Sequence, residues 1–156
     1  MRRVSTPSED VVVSSSARER FRGPRSRIWD AIYPAETQLQ IDADIVLAGQ
    51  LPGTPLGVGE IQFFVRETPE GKSVTCLEVI EVENERRALV RSAHPADVEI
   101  RVETFLEDFS DDLVTLTQTV TATLPAGATQ HTKTAYPKHV DAVATGMVVG
   151  LRRVLD

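Results

Sequence analysis

The chain has 156 residues, with 17 Lys and Arg against 23 Asp and Glu, for a formal net charge of -6. That length suits one domain with a sizeable core, and the acidic balance argues against nucleic acid or an anionic membrane as the main partner. A single cysteine, Cys76, excludes an internal disulfide and a Cys-based zinc cluster within one chain.

Residues 1–10 read as a flexible tail ahead of a single domain over 11–156. Arg2 and Arg3 are followed by no apolar run, and no stretch of about 18 apolar residues occurs, so no membrane span is expected and the setting is read as cytoplasmic. Val11 to Phe21 is the first strand candidate, closed by Gly23 and Pro24. The basic residues between Arg18 and Arg27 are interrupted by Glu19 and read as a solvated junction. Pro24 suits the first position of a helix, where Ile28, Trp29, Ile32 and Tyr33 form one apolar stripe ended by Pro34. A short second helix is expected over Ala35 to Gln40. Ile41 to Gly59 reads as an irregular connection, and its glycines lack the spacing and lysine of a phosphate loop.

Five strands follow: Glu60 to Glu67, Lys72 to Glu83, Arg86 to Ser92, Asp97 to Glu107 and Asp112 to Thr123. Pro69-Glu70-Gly71, Asn84-Glu85 and Ser110-Asp111 supply the turn chemistry that links antiparallel neighbours. In the last strand, Val114, Leu116, Gln118, Val120 and Ala122 share one face and threonines the other, so the first set should face the core, with Gln118 as an amide in need of a partner. From Pro137 to Leu155, Val140, Val143, Ala144, Met147, Leu151, Val154 and Leu155 repeat at helical spacing. The order predicts an α+β fold: an antiparallel sheet of about six strands wrapped around one long C-terminal helix. Gly146 and Gly150, four apart on that helix, point to a need for room, and Val143 to Leu151 is expected to form a cavity floor.

Ile28-Trp29-Asp30-Ala31-Ile32, Pro52 to Glu60, Glu78 to Glu83 with Arg86 to Val90, and Glu103-Thr104-Phe105, in this order, resemble the START/SRPBCC superfamily, with the polyketide cyclase-like bacterial subset nearest. The resemblance covers nearly all of the chain after the tail. It implies a helix-grip fold enclosing an apolar ligand site, in a superfamily whose members bind lipids, sterols or polyketides, cyclise or dehydrate polyketides, or act as co-chaperones. The function expected first is therefore binding of an apolar, lipid-like or polyketide small molecule. A cyclase or dehydratase is the alternative, and a co-chaperone-like interaction module the third reading. No cofactor and no metal are expected.

The expected lining is Phe63, Phe64, Leu77, Val79, Val90, Phe105, Leu116, Gln118, Val143 and Met147. Two strands leave their direction open. Ile61, Phe63 and Val65 alternate well, yet Phe64 is also large, and whichever phenylalanine faces outward offers a surface patch suited to a homodimer contact. In the strand over 97–107, alternation puts Val98, Ile100, Val102, Thr104 and Leu106 inside, whereas the resemblance turns Phe105 inward. The second parity would bring Glu103 and Arg101 to the ligand as an acid, base or anion clamp. His94, His131 and His139 show no metal spacing; His94, in a loop before Pro95, completes the weak catalytic candidates.

Overall fold

The computed structural model describes residues 9–93 and 98–156. His94 and most of the expected tail lie outside them. Strand β1 (Val11–Arg22) leads into helix α1 (Arg25–Ile32), a 3-10 turn (Ala35–Thr37) and a four-residue helix α2 (Gln38–Ile41). Six strands follow: β2 (Ile45–Gln50), β3 (Ile61–Thr68), β4 (Gly71–Glu83), β5 (Arg87–Ser92), β6 (Glu99–Asp108) and β7 (Leu113–Leu124), and α3 (Gln130–Leu155) ends the chain. All seven strands form one antiparallel sheet in the order β1-β7-β6-β5-β4-β3-β2.

Among the described residues the sheet has seven strands where about six were expected, the addition being β2, which lies within the segment read as irregular. Its register shifts between Ile45 and Leu47, so Ile45 and Ala48 are buried while Val46 and Leu47 are exposed. One extra residue erases the period of two by which a strand is recognised. The C-terminal helix also starts seven residues before Pro137, at Gln130. Thr129 caps it, accepting a bond from the Thr132 amide at 3.2 Å. Pro137 is exposed, and the Lys133 carbonyl it leaves without an amide stands on the solvated first turns.

The alternation in β7 holds: Val114, Leu116, Gln118, Val120 and Ala122 are all buried. In β6 the alternation rule also prevails, with Val102 and Leu106 buried. The charges on its other face are neutralised in place. Arg101 pairs with Glu99 at 3.0 Å, and Arg87 donates to Glu103 at 2.8 Å and to Glu81. The bonds to Glu81 and then Glu103 raise the Arg87 pKa, so this guanidinium is a fixed charge of the outer face.

Helix α3 does not lie over the middle of the sheet. It packs on β1 and β7, where Ser15 Oγ donates to Asp141 at 2.8 Å and Arg152 reaches Glu19 at 3.0 Å and the Arg20 carbonyl at 2.8 Å. At its far end it meets α2, where Gly150 lets the Ile41 carbonyl approach to 2.2 Å from the place a Cβ would occupy. Pinned at these points, α3 leaves the inner faces of β3 to β6 partly uncovered. A sheet gripping an off-centre helix encloses space on the side the helix does not reach.

Candidate functional site

That space is a cavity of about 580 Å³ between β3–β6, the α1–α2 segment and one stripe of α3. Its walls are largely apolar: Phe64 and Leu77 from β3 and β4, Val90 and Val102 from β5 and β6, and Val143 and Met147 from α3. Gly146 stands on the same helical stripe, exposed at the mouth, and a Cβ built there meets nothing within 4 Å. A depression of similar size, about 600 Å³, lies outside the grip around Gly23, Arg25, Glu85 and Asp108. Val114 is its one buried lining residue among those described, so it does not exclude water.

Of the residues expected from sequence, Phe64, Leu77, Val90, Val143 and Met147 line the cavity. Val79, Leu116 and Gln118 are fully buried but sit in the packed core, outside the lining. Phe63 and Phe105 do not line it. Phe105 pairs across the strands with Arg87 and Thr117 on the outer face, and Phe63 lies over Gly49, its ring carbon 3.1 Å from the place a Cβ there would take. Glu103 and Arg101, the weak catalytic candidates, are held in the outer ion pairs, away from the cavity.

The polar groups of the site come from residues that the apolar pattern passed over. Phe64 faces inward, so the neighbours of like parity, Gln62 and Arg66, line the cavity with it. Gln62 Nε2 donates to the buried Glu60 carboxylate at 2.7 Å and to the Tyr33 carbonyl at 3.2 Å. Glu60 is 5% exposed, and the bond from Gln62 gives its buried oxygen a partner. Arg66 is clasped to Asp42, at the end of α2, by Nε at 3.3 Å and Nη2 at 3.0 Å. Arg153 Nη2 donates to the Ile41 carbonyl at 3.1 Å. Thr104, in the lining, donates to Gln118 Oε1 at 2.8 Å. Two buried donors, the Gln118 Nε2 amide and the Tyr33 hydroxyl, have no partner among the described residues. The orphaned amide is the outcome of the misplaced glutamine seen in the sequence.

The Tyr33 ring stacks on Trp29, with centroids 4.7 Å apart. Burial, and then the negative charge of Glu60, raise its pKa above the ordinary 10.0, so at neutral pH the phenol keeps its proton and is a hydrogen-bond donor. Below pH 10 the folded and unfolded phenols are both neutral. As pH rises further, the unfolded phenol ionises first and stability is lost through the folded value. Tyr33→Phe is therefore expected to resist alkaline unfolding better than the wild type. In a spectrophotometric titration, Glu60→Gln should bring the Tyr33 phenolate signal to lower pH; an unchanged profile would refute the coupling.

Among the described residues no group of three or more His, Cys, Asp or Glu side chains is placed to hold a metal ion, and no helix is long and apolar enough to cross a membrane. The arrangement provides an apolar-walled volume, open at a mouth, with polar groups in its wall and an ionic clasp at one end.

No protein-family model and no curated protein matches the sequence. Solved structures do. One is the di-domain ARO/CYC BexL from the BE-7585A biosynthetic pathway, at TM-score 0.73 and 10% identity, covering 90% of this chain and 45% of that one. Truncated norcoclaurine synthase from Thalictrum flavum matches at TM-score 0.71 and 13% identity, over 99% of this chain and 97% of its own. Ara h 8.0201 matches at TM-score 0.67 and 12% identity, over 91% and 97%. The chain spans about half the length of the di-domain ARO/CYC structures. At these identities the likeness is one of fold: the chain has a helix-grip fold, as those structures do.

Proposed function

We propose that the chain is a small-molecule binding protein that encloses an apolar, lipid-like or polyketide-derived ligand between the sheet and α3. The observation that carries this reading is the off-centre seat of α3, which leaves an apolar-walled volume of about 580 Å³ under β3–β6. Filling it with protein would be the cheaper design for stability, since an unfilled apolar space forfeits dispersion contacts along its walls. The volume falls within the roughly 300–1,000 Å³ of small-molecule pockets.

Gly146 offers a test that leaves the fold intact. Leucine at this helical position has open space before it and is the better helix former by about 0.5–1 kcal/mol, yet its side chain projects into the mouth. Protein prepared gently from its host is expected to carry a discrete small molecule by native mass spectrometry, and Gly146→Leu to lose it with no drop in thermal stability. Equal occupancy in wild type and Gly146→Leu would overturn the reading.

The second reading is a cyclase- or dehydratase-type enzyme. It is supported by the protonated Tyr33 phenol in the cavity lining, with the Glu60 carboxylate behind that wall, and by the names of the ARO/CYC and norcoclaurine synthase structures. Turnover of the co-purified compound, abolished by Tyr33→Phe, would establish it.

A further inference from the structure

The cavity has an electrical direction. From Glu60, just before β3, the side chains of inward parity run through Gln62 and Phe64 to Arg66. At the rise of a strand this acid-to-base sequence spans about 20 Å. At the Arg66 end, three elements converge: Arg66 from β3, Asp42 from the end of α2 and Arg153 from α3. Asp42 spends its charge on Arg66. Arg153 bonds only a neutral carbonyl, that of Ile41, and makes no ion pair among the described residues. The lining thus holds two guanidiniums against one carboxylate, within a chain of net charge -6. His139 lies on the same helical stripe fourteen residues before Arg153, about 21 Å away, and does not join this corner. At the opposite end the charge of Glu60 stands behind Gln62 and disfavours a second anion there.

We propose that the ligand is an amphipathic anion, its apolar body against Phe64, Val143 and Met147 and a carboxylate-type group held at the Arg153–Arg66 corner. A guanidinium presents a planar fork that matches a carboxylate, and a locally positive mouth on an acidic molecule concentrates anions there rather than elsewhere. The inference rests on the reading of the cavity as the ligand site and adds the charge and orientation of what it takes.

Decanoate, decanol and decylammonium share one apolar chain and differ in the charge of the head group. Calorimetric titration of the full chain with each, at low salt and neutral pH, is expected to rank decanoate above decanol above decylammonium, with about threefold to tenfold between the first two. Arg153→Gln should erase the preference for decanoate over decanol, and Gly146→Leu should weaken all three. Equal binding of decanoate and decanol in the wild type, or a preference that survives Arg153→Gln, overturns the anion assignment and leaves the cavity reading standing. Binding of all three that Gly146→Leu does not touch overturns both.

Discussion

Gly150→Ala is expected to lose about 1–3 kcal/mol of stability or more, although alanine favours a helix over glycine by about 1 kcal/mol. The added methyl carbon would stand 2.2 Å from the Ile41 carbonyl oxygen and 2.8 Å from its Cγ2. The first is a backbone atom, so relief requires α2 and α3 to part. Arg153 donates to the same carbonyl, and Asp42, the next residue, holds Arg66. Separation would therefore disturb the packing and the ionic clasp together. Gly146→Ala is the matched control, since its methyl meets nothing within 4 Å and should gain roughly the helix-propensity difference. Urea unfolding of the two variants beside the wild type reads the result, and equal stability of both would sink the argument.

The same pair of glycines shows what the sequence can and cannot reveal. Their spacing on an amphipathic helix marks a need for room, but only the structure separates close approach at Gly150 from open volume at Gly146. Strand β7 was legible throughout because threonines alternate along it with a set that is apolar except for Gln118. Strand β2 was not, because its bulge breaks the alternation. The parity of β3 was hidden for a reason tied to function. Its outward residues Ile61, Phe63 and Val65 are the apolar set, and its inward ones include Gln62 and Arg66. A cavity that holds a ligand needs polar groups on a face that pattern rules reserve for apolar ones, so the rule fails at the site. Phe64 was the available signal: taken as inward, it brings Gln62 and Arg66 with it. Tyr33, Asp42 and Arg153 carry no such signal, since they meet only when distant segments fold together.

Leu151→Ala and Met147→Ala divide the apolar stripe of α3 into its two roles. The periodicity alone treats Val140, Val143, Ala144, Met147 and Leu151 as one face. In the fold, Val140, Ala144 and Leu151 are fully buried in the core, whereas Val143 and Met147 are half-buried on the cavity wall. Leu151 packs in the cluster of Phe21, Ile28, Trp29 and Leu116, so its truncation opens a void in a close-packed interior and should cost about 2–5 kcal/mol. Met147 already borders empty space, so its truncation forfeits contacts on one side only and enlarges a volume that exists. Its cost should be well below that of Leu151, and the variant should accept longer alkyl carboxylates than the wild type does. Leu151→Ala should leave that length preference where it was while lowering the unfolding midpoint. If Met147→Ala proves the more destabilising of the two, the segment is packed core and the cavity does not reach α3. If both variants shift chain-length preference equally, the two sides of the helix are not distinct. The predicted split arises because the helix is gripped on the β1–β7 side and free on the other, and the free side is the part of the stripe that a ligand would cover.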